Sequence, residues 1–475
     1  MDFAGLINTN LLKVVSNISV KNEIETYIVG GAVRDYILYN KTKKDIDILV
    51  IGDGIKFSKL IATELNCKVQ IFKNYGTAMI KVNGVQLEFV GARKESYDEN
   101  SRNPSVSNGT LEDDLSRRDF TLNALAVGLS NSNKGKLIDL FDGIKHLNQG
   151  ILKTPKDPHK TFYDDPLRML RAIRFACQHN FKIDIDDFKC ITSEHERIKI
   201  ISKERINEEL NKILMTNYPS IGFKLLYDSK LLSVIIPELC SLKGIEEIEG
   251  KKHKDNFFHT LQVVDNISKN TDNIWLRWVA LLHDIGKPKS KRFNDEIGWT
   301  FHGHEFIGSK MVNKIFKRMR LPLNDKLKYV SKLILLSSRP IVIAEDSTTD
   351  SAVRRLIYDA GDEIDDLLTL CEADITTKNE FLQKKYLNNF NIVREKIKIV
   401  EERDRIRNFQ PPVTGEDIMK HFNIKPCKEI GMIKNYIKES ILNGKIQNSN
   451  EEALKLMIEK GKELGLLVIN HLKFL

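Results

Sequence analysis

Apolar and polar positions alternate over the first 91 residues in a way that predicts a sheet with helices packed against it. Residues 27–29 form an apolar run that ends in two glycines, and residues 34–38 have helical character. From residue 45 to residue 50, carboxylates alternate with aliphatic side chains, which is typical of a strand with one buried face. Further strands are predicted at residues 69–72, 77–82 and 85–90, and helices at residues 1–26 and 55–65.

The pattern changes after residue 91. Residues 92–111 are rich in Ser, Asn, Gly and Arg and are predicted to form a flexible loop. From about residue 151, apolar residues recur at helical spacing, for example at Leu167, Leu170 and Ile173. The chain is therefore predicted to have an α+β first part followed by an all-helical remainder.

Two carboxylates stand out in the predicted strand at residues 45–50. Asp45 and Asp47 project from the same side of this strand, while Ile46 and Ile48 enter the core. Paired carboxylates repel each other, and a shared proton or bound divalent cations relieve that repulsion. Two solvated aspartates on an edge strand are the alternative. The glycine pair upstream favours cations and nucleotidyl or phosphoryl transfer, because a glycine turn that opens a helix presents backbone N–H groups to a triphosphate.

The glycine turn and the carboxylate strand together carry a family resemblance. Residues 30–35 (GGAVRD), a helix and the alternating strand are similar to the class II tRNA nucleotidyltransferases and the bacterial poly(A) polymerases, of the polymerase-β nucleotidyltransferase superfamily. The resemblance implies that Asp45 and Asp47 are catalytic and hold Mg²⁺, and that Gly30, Gly31 and Arg34 bind the triphosphate. A third carboxylate is common in this superfamily, so Glu88 is a candidate for it; a solvent-facing glutamate is the alternative.

Residues 117–124 (RRDFTLNA) resemble a second motif of the same family. Arg117 and Arg118 are predicted to precede a helix N-cap at Asp119 and to supply cations for phosphates. Asn123, one turn further on, is placed to meet a ribose hydroxyl. The resemblance therefore assigns Arg118, Asp119 and Asn123 to the ribose and phosphates, whereas an isolated cluster of this kind would usually be a surface ion-pair network.

Residues 164–168 (DDPLR) resemble the family motif that reads the incoming base. Pro166 suits the first turn of a helix, and Asp165 and Arg168 are predicted to share one face of it. In the family this pair acts as a protein template that accepts cytosine and adenine. An i, i+3 salt bridge is the alternative role. Arg171 and Arg174 continue the basic face and are predicted to contact phosphates, and Glu204 and Arg205 are predicted to be structural ion-pair residues.

A second chemistry is predicted after a charged linker near residues 245–255. The order of His259, the His283-Asp284 pair and Asp374 resembles the HD metal-dependent phosphohydrolases, with His302 and His304 as candidate further ligands. The resemblance implies a divalent metal of unknown identity and a phosphatase or phosphodiesterase activity on a phosphorylated or cyclic-phosphate RNA end. A helical module that merely extends the RNA-binding body is the alternative.

Bulk composition narrows the class of protein. The 475 residues are too many for one core, and 41% hydrophobic with 29% charged residues is typical of a soluble globular protein. A net charge of +9 is consistent with an RNA partner, or with a generally basic proteome. Six scattered cysteines without a CxxC pair predict a reduced cytoplasmic location, and no membrane segment is expected.

These observations predict four parts: a catalytic head at residues 1–150, a base-selecting and RNA-binding neck at 151–245, an HD domain at 246–390 and a tRNA-binding tail at 391–475. The family resemblance predicts addition of C, C and A to tRNA 3′ ends from CTP and ATP, without an obligate protein partner. Poly(A) polymerase and an HD phosphohydrolase with an RNA-binding head are the alternatives. An enzyme that adds only CC is disfavoured, because the polar loop accompanies the switch to adenine in the family.

Overall fold

A mixed sheet lies at the centre of the first of two units into which the chain divides, residues 1–237 and residues 238–475. The computed structural model describes residues 2–73, 76–96, 105–345 and 349–468. The fold is α+β, as predicted, with strands concentrated in the first unit and helices dominating the second. The proposed four-part division of the chain stays a prediction.

Among its described residues, the first unit contains nine strands before residue 140. They are β1 (Thr26–Val29), β2 (Asp45–Val50), β3 (Val69–Phe72), β4 (Thr77–Val82), β5 (Val85–Gly91), β6 (Arg93–Ser96), β7 (Ser105–Asn108), β8 (Leu125–Gly128) and β9 (Leu137–Asp139). Seven of them form one sheet in the order β3-β4-β5-β2-β1-β8-β9. Only the β2–β5 pairing within this sheet is parallel. The strands predicted from residue 27 to residue 90 are confirmed, including the turn at Asn83 and Gly84, which both have positive φ.

The prediction of a flexible loop at residues 92–111 was wrong at both ends. Strand β6 pairs with β7 in an antiparallel hairpin, from Arg93 opposite Asn108 to Ser96 opposite Ser105. The middle of the predicted loop, residues 97–104, lies outside the described residues. The two strands pair through backbone hydrogen bonds. The sequence here has no alternation of apolar and polar residues, so the strands could not be predicted from it.

Twelve helices belong to the first unit among its described residues. They are α1 (Ala4–Ile7), α2 (Asn10–Lys21), α3 (Gly31–Tyr39), α4 (Gly54–Glu64), α5 (Leu111–Ser116), α6 (Gly143–Gln149), α7 (Pro158–Asp164), α8 (Leu167–His179), α9 (Ile185–Glu194), α10 (Lys203–Leu214), α11 (Pro219–Asp228) and α12 (Leu231–Ile235). The single helix predicted over residues 1–26 is two helices, because Thr9 caps a new start by accepting from Leu12 N. A short parallel pair, β10 (Ile151–Leu152) with β11 (Lys182–Ile183), completes the unit.

Helix α8 has the two-faced pattern that its sequence predicts. Leu167, Leu170 and Ile173 are buried, as expected from their spacing. The arginines at positions 168, 171 and 174 follow one another every three residues and therefore share the other face. This arrangement leaves a row of cations beside the sheet.

The second unit is mainly helical. Helix α13 (Pro237–Cys240) spans the boundary between the units, and the helices that follow are α14 (Asn256–Ser268), α15 (Ile274–Leu282), α16 (Lys287–Ser290), α17 (His304–Met319), α18 (Asp325–Leu336), α19 (Arg339–Glu345), α20 (Asp350–Ala360), α21 (Ile364–Ala373), α22 (Glu380–Asp404), α23 (Gly415–Phe422), α24 (Lys428–Leu442) and α25 (Asn450–Glu463). Two small hairpins are formed by β12 (Glu247–Ile248) with β13 (Lys251–Lys252) and by β14 (Arg292–Asn294) with β15 (Gly298–Thr300). Trp278 and Phe316 are fully buried in this unit. In the described parts of the chain, none of the helices has both the length and the apolar character needed to span a membrane.

Candidate active sites

The glycine turn before helix α3 lies beside the first predicted carboxylate pair. Gly30 has a φ of +72°, a conformation that residues with a side chain rarely adopt. A Cβ atom at Gly30 would lie 2.9 Å from Arg118 Nη1 and 3.4 Å from Asp47 Oδ2. Glycine is therefore required both by the backbone and by the space between the turn, the arginine and the carboxylate.

Strand β2 places its carboxylates as predicted, and a third carboxylate lies next to them. Asp45 is exposed at the start of β2, and Asp47, two residues on, points to the same side. Asp47 pairs with Glu88 of β5 in the parallel register, so the two side chains are neighbours on one face. Burial raises the pKa of Asp47, while Arg118 and Lys43 oppose the rise.

Burial, and then the charge of Asp47, raises the pKa of Glu88 as well. A cluster that disfavours its own negative charge is suited to a divalent cation, and carboxylate oxygens are the ligands that Mg²⁺ prefers. Asp45 and Asp47 therefore fit the predicted metal, with Glu88 adjoining the pair. Glu88, Asp47 and Arg118 also line a small cavity of 220 Å³.

A buried aspartate in helix α5 orients both arginines of the second motif. Asp114 is fully buried, and its Oδ1 accepts from Arg117 Nε at 2.9 Å and also from Arg117 Nη2. Its Oδ2 accepts from Arg118 Nη2 at 3.0 Å. Asp114 had no predicted role, since an acidic residue near a helix start usually serves only the helix.

Asp119 differs from its predicted role as a helix N-cap. The segment after it is one 3₁₀ turn (Thr121–Asn123) followed by β8, and no side chain caps that turn. Asp119 Oδ1 instead accepts from Phe120 N and from Asn123 Nδ2, both at 2.9 Å. Its Oδ2 accepts from Arg171 Nε at 2.8 Å. Burial opposes ionisation, yet Arg171 and Asn123 outweigh it and lower the pKa of Asp119 to about 2.

The network continues from Asn123 to the helix after the glycine turn. Asn123 Oδ1 accepts from Arg34 Nη1 at 2.7 Å, and Arg34 Nε donates to Asp35 Oδ1 at 2.6 Å. Asp35 in turn forms an ion pair with Lys43 at 2.5 Å. Arg34 is only 4% exposed, and its Nη2 lies 3.7 Å from the position of a Cβ on Gly31. Arg34 therefore links the glycine turn to the second motif.

Three guanidinium groups surround the ring of Phe175 on helix α8. The guanidinium carbons of Arg34, Arg171 and Arg174 lie 5.0, 5.5 and 4.0 Å from the ring centroid. Arg174 Nε also donates to the buried Glu209 of helix α10 at 2.6 Å. Glu209 thus forms a buried ion pair from helix α10. Glu204 and Arg205 lie at the exposed start of the same helix, and their role in ion pairs stays a prediction.

The predicted base-reading pair lies at the start of helix α8. Asp165 precedes the helix in an extended conformation and accepts from Leu167 N at 3.2 Å. Arg168 Nη2 donates to the carbonyl oxygen of Arg117 at 2.8 Å. Within the described part of the chain, Asp165 and Arg168 form no ion pair with each other. The alternative role as an i, i+3 salt bridge is therefore wrong, and the second motif positions Arg168.

One cavity of 430 Å³ brings these motifs together. The predicted residues that line it are Gly30, Gly31, Arg34, Asp47, Arg118, Asp119, Asn123, Asp165, Arg168, Arg171 and Arg174. Lys43, Arg117, Phe175 and Gln178 line it as well. Lys43 and Gln178 were not singled out from the sequence because neither belongs to a motif, and Phe175 looked like one more apolar residue of the helix.

The four residues that were predicted to bind a metal in the second unit lie close together; they are His259, His283, Asp284 and Asp374. His259 Nε2 lies 2.8 Å from Asp374 Oδ1 and 3.6 Å from Asp284 Oδ2. His283 Nε2 lies 3.4 Å from Asp284 Oδ2 and 3.6 Å from Asp374 Oδ1. His304 Nε2 lies 3.5 Å from Asp284 Oδ1, which places it at the same centre. His302 is exposed, and no contact brings it to the centre among the described residues.

This His/Asp centre has the donor set of a metal site. His259, His283 and Asp284 offer ligand atoms within 4.8 Å of one another. His283 Nε2 is buried without a hydrogen-bond partner among the described residues, as expected of an atom that binds an ion, and Asp374 Oδ1 faces His259 Nε2 at 2.8 Å. Helix α15 ends just before His283 and helix α21 just before Asp374, so the negative ends of two helices also favour a cation here.

The electrostatics of the His/Asp centre agree with its donor set. Burial opposes a charge on His283, but Asp284 and Asp374 outweigh burial and raise the pKa of His283 to about 10. The same two carboxylates therefore favour positive charge at this centre, whether on His283 or on a bound cation. Lys287 Nζ donates to Asp284 Oδ2 at 2.6 Å and adds a second positive charge.

Models of known protein families match three successive segments of the chain; the first contains the glycine turn and Asp47, and the third contains the His/Asp centre. Residues 26–153 match the poly(A) polymerase head domain. Residues 180–243 match the probable RNA and SrmB binding site of polymerase A, and residues 256–378 match the HD domain. Metal dependence is typical of the nucleotidyltransferase head and of the HD domain.

Relatives with assigned names extend the similarity over most of the chain. A CCA-adding enzyme from Ligilactobacillus salivarius is 28% identical over 443 residues, which are 93% of each chain. A multifunctional CCA protein from Shewanella frigidimarina is 29% identical over 76% of this chain and 86% of its own length. The solved apo form II of a CCA-adding enzyme superposes with a TM-score of 0.64 at 21% identity, covering 97% of this chain and 99% of that one, and so shares the fold. The chain thus combines matches to a poly(A) polymerase head domain, to the RNA-binding site of polymerase A and to an HD domain, and over most of its length it is similar to proteins named CCA-adding enzyme or multifunctional CCA protein.

Proposed function

We propose that the head adds C, C and A to the 3′ ends of tRNA, using CTP and ATP and releasing pyrophosphate. One observation carries the proposal: the 430 Å³ cavity joins the glycine turn and Asp47 to the base-reading residues Asp165 and Arg168. The names of the two relatives support CCA addition as the specific reaction. The net charge of +9 is consistent with tRNA as the polyanionic substrate.

The glycine turn and the cations around it are suited to the triphosphate of the nucleotide. Backbone N–H groups at the start of α3 point to its phosphates, and Lys43 and Arg118 supply positive charge on either side. When bound by Asp45 and Asp47, Mg²⁺ supplies activation of the attacking 3′ hydroxyl and neutralisation of the leaving pyrophosphate. Catalysis by the chain itself then consists of positioning and charge complementarity.

Base selection follows from hydrogen-bonding chemistry at the start of α8. The Asp165 carboxylate accepts from the exocyclic amine of cytosine or adenine, and the Arg168 guanidinium donates to a ring nitrogen or carbonyl. Uracil and guanine present the opposite pattern at the position of the amine. Because Arg168 is held by the carbonyl of Arg117, we assign the second motif a role in aligning the reading edge.

For the His/Asp centre we propose hydrolysis of phosphate esters at RNA ends, with a divalent metal whose identity stays open. The buried, unpartnered Nε2 of His283 and the convergence of ligand atoms from His259, His283 and Asp284 support metal binding there. When bound, the metal supplies activated water, which adds to phosphorus while the ester P–O bond breaks. Mg²⁺ is the metal that we propose for the head alone.

The test of the head is single-turnover extension of tRNA transcripts that end at the discriminator base, at C or at CC. Each is incubated with Mg²⁺ and with CTP, ATP or both, and the products are resolved to one nucleotide. Products that stop at CCA from every start are expected. A long A ladder would instead indicate a poly(A) polymerase, a halt at CC an enzyme that adds only CC, and no extension by folded protein would refute the transferase proposal.

A further inference from the structure

Phe175 of helix α8 lies in the wall of the 430 Å³ cavity of the head, although its side chain can neither donate nor accept an ordinary hydrogen bond. The side chain is buried, with 4% of the residue exposed. The guanidinium carbon of Arg174 lies 4.0 Å from the ring centroid, that of Arg34 5.0 Å and that of Arg171 5.5 Å. Because Arg34 belongs to α3 and the other two to α8, one ring contacts cations from two helices.

The three arginines carry like charges, and each is balanced by a carboxylate of its own. In every case the carboxylate accepts from the Nε atom of the arginine. The pairs are Asp35 with Arg34 at 2.6 Å, Asp119 with Arg171 at 2.8 Å and Glu209 with Arg174 at 2.6 Å. A carboxylate at Nε holds one edge of the planar guanidinium and leaves the far terminal nitrogen available. The three cations are therefore anchored in the same way, close to one another.

Each arginine keeps one terminal nitrogen for a ligand. Arg34 Nη1 donates to Asn123 Oδ1 at 2.7 Å, and Arg171 Nη2 lies 2.6 Å from its carboxylate partner. Arg174 Nη1 donates to Gln178 Oε1 at 3.1 Å. The other terminal nitrogens, Arg34 Nη2, Arg171 Nη1 and Arg174 Nη2, have no hydrogen-bond partner within the part of the chain that the structure describes. Because all three arginines line one cavity, their spare donors are available to the same bound group, and phosphate oxygens suit them as acceptors.

The ring of Phe175 supplies what the carboxylates alone do not. A carboxylate fixes one edge of a guanidinium, but the group can still turn on its flexible side chain until its free nitrogen faces water. The face of an aromatic ring carries negative charge and attracts a cation that lies over it, so contact with the ring also restrains the rest of the guanidinium. The same attraction opposes the repulsion among three like charges.

Two aromatic neighbours fix the ring of Phe175 itself. Phe120 of the second motif meets it edge-on, with centroids 5.8 Å apart and planes at 83°. His179 stacks on it at 6.0 Å and 14°, and shares a 2.7 Å hydrogen bond with the hydroxyl of Tyr39 at the end of α3. Burial, and then the charge of Arg34, lowers the pKa of His179 to about 4, so this ring is neutral near pH 7 and adds no further positive charge.

We propose that Phe175 is a positioning residue for nucleotide addition, whose ring holds the three arginines so that their spare donors converge on the phosphates of the bound nucleotide. The residue acts through the arginines and not on the base. The proposal rests on the nucleotide addition proposed for the head. It adds that a side chain without polar atoms contributes to phosphate affinity, and that it does so equally for ATP and CTP, because the base is read by other residues at the start of α8.

The test weakens the negative face of the ring in steps while its shape is nearly kept. Phe175 is replaced by phenylalanine that carries one, two or three ring fluorines, which withdraw charge from the face, and the same series at Phe223 is the control. Phe223 is fully buried in α11 of the same unit, and no cation lies over its ring among the described residues. For both ATP on tRNA ending in CC and CTP on tRNA ending in C, KM is expected to rise with each fluorine at position 175 and to reach about tenfold. At position 223, KM is expected to stay unchanged.

A second readout needs no turnover. The full-length protein is titrated calorimetrically with tripolyphosphate, which has neither base nor ribose, and affinity is expected to fall in the same order along the fluorine series at position 175. Phe175→Leu, which removes the ring, is expected to bind tripolyphosphate about tenfold more weakly. Equal effects of fluorine at positions 175 and 223, a change in KM for only one nucleotide, or no dependence on fluorine would overturn the proposal. If the wild type extends no tRNA, the function proposed for the head fails, and the titration still decides whether the ring sets phosphate affinity.

Discussion

Gly30 shows how one residue type can be fixed by two independent constraints. Its φ of +72° excludes most side chains, and a Cβ would lie 2.9 Å from Arg118 and 3.4 Å from Asp47. At Gly31, the next residue, φ is not positive, and a Cβ would lie 3.3 Å from Lys43 Nζ and 3.7 Å from Arg34 Nη2, the ends of two flexible side chains. The two glycines of the motif are therefore not equivalent, and the first is the one that shapes the site.

Replacement of Gly30 by alanine is expected to lower nucleotide addition about 100-fold, because the new methyl group displaces Arg118 and the carboxylate strand by a fraction of an ångström or more. The rate is measured by single-turnover extension of a tRNA ending in CC with saturating ATP. Gly84→Ala is the matched control: its φ of +78° imposes a similar strain, yet nothing lies within 4 Å of its Cβ. An equal loss in the two variants would mean that backbone strain, and not the close approach to Arg118, accounts for the effect.

At the scale of an element, helix α5 acts as the support for the arginines that follow it. Its capping box joins Thr110 and Asp113 at the exposed start, while Asp114 turns inward and binds Arg117 and Arg118. Two adjacent aspartates thus have separate tasks, one for the helix and one for the site.

The substitution Asp114→Asn is expected to cost about 2 kcal/mol of stability, because a buried carboxylate loses its charged hydrogen bonds to two arginines. It is also expected to raise KM for ATP and CTP at least tenfold, since Arg118 loses its orientation. Denaturant unfolding and steady-state kinetics measure the two effects. Asp113→Asn alters only the exposed acceptor of the capping box, so a smaller loss of stability than in Asp114→Asn and an unchanged KM are expected. If KM rose equally in both variants, the cause would be a change in helix α5 as a whole and not the loss of the Asp114 contacts to the arginines.

The same elements show what the sequence can and cannot predict. Strands β1–β5 were predicted because alternation along a strand is a local signal that burial on one side imposes. Hairpin β6–β7 was not, because polar serine and asparagine residues pair through their backbone without leaving that signal. The motif residues of the head were predicted to form one site, and a single cavity does bring most of them together. Asp114 was missed because an acidic residue near a helix start usually serves only the helix, although its partners Arg117 and Arg118 lie three and four residues further on. Glu209 was missed because its partner Arg174 is known only once helices α8 and α10 have packed.

At the scale of the whole molecule, each chemistry draws on one unit alone. The residues that line the nucleotide cavity all lie between positions 30 and 178, and the His/Asp centre uses positions 259 to 374. Neither set includes a side chain from the other unit among the described residues.

Because each centre is built from residues of one unit, a substitution in one centre is expected to lower only the activity of that centre. Asp47→Asn is expected to lower nucleotide addition at least about 100-fold and to leave phosphate-ester hydrolysis within about twofold of the wild type. Asp284→Asn is expected to give the reverse, since it removes a buried charge of the His/Asp centre only. Both activities are measured on the same full-length preparations, with tRNA extension in Mg²⁺ and with hydrolysis of adenosine 3′-monophosphate across a series of divalent ions. Asp295→Asn, on an exposed turn between β14 and β15, controls for the loss of an acidic side chain in the second unit. If either substitution lowered both activities while thermal unfolding stayed unchanged, the two centres would be coupled, and the residues that carry the coupling would have to lie outside both centres.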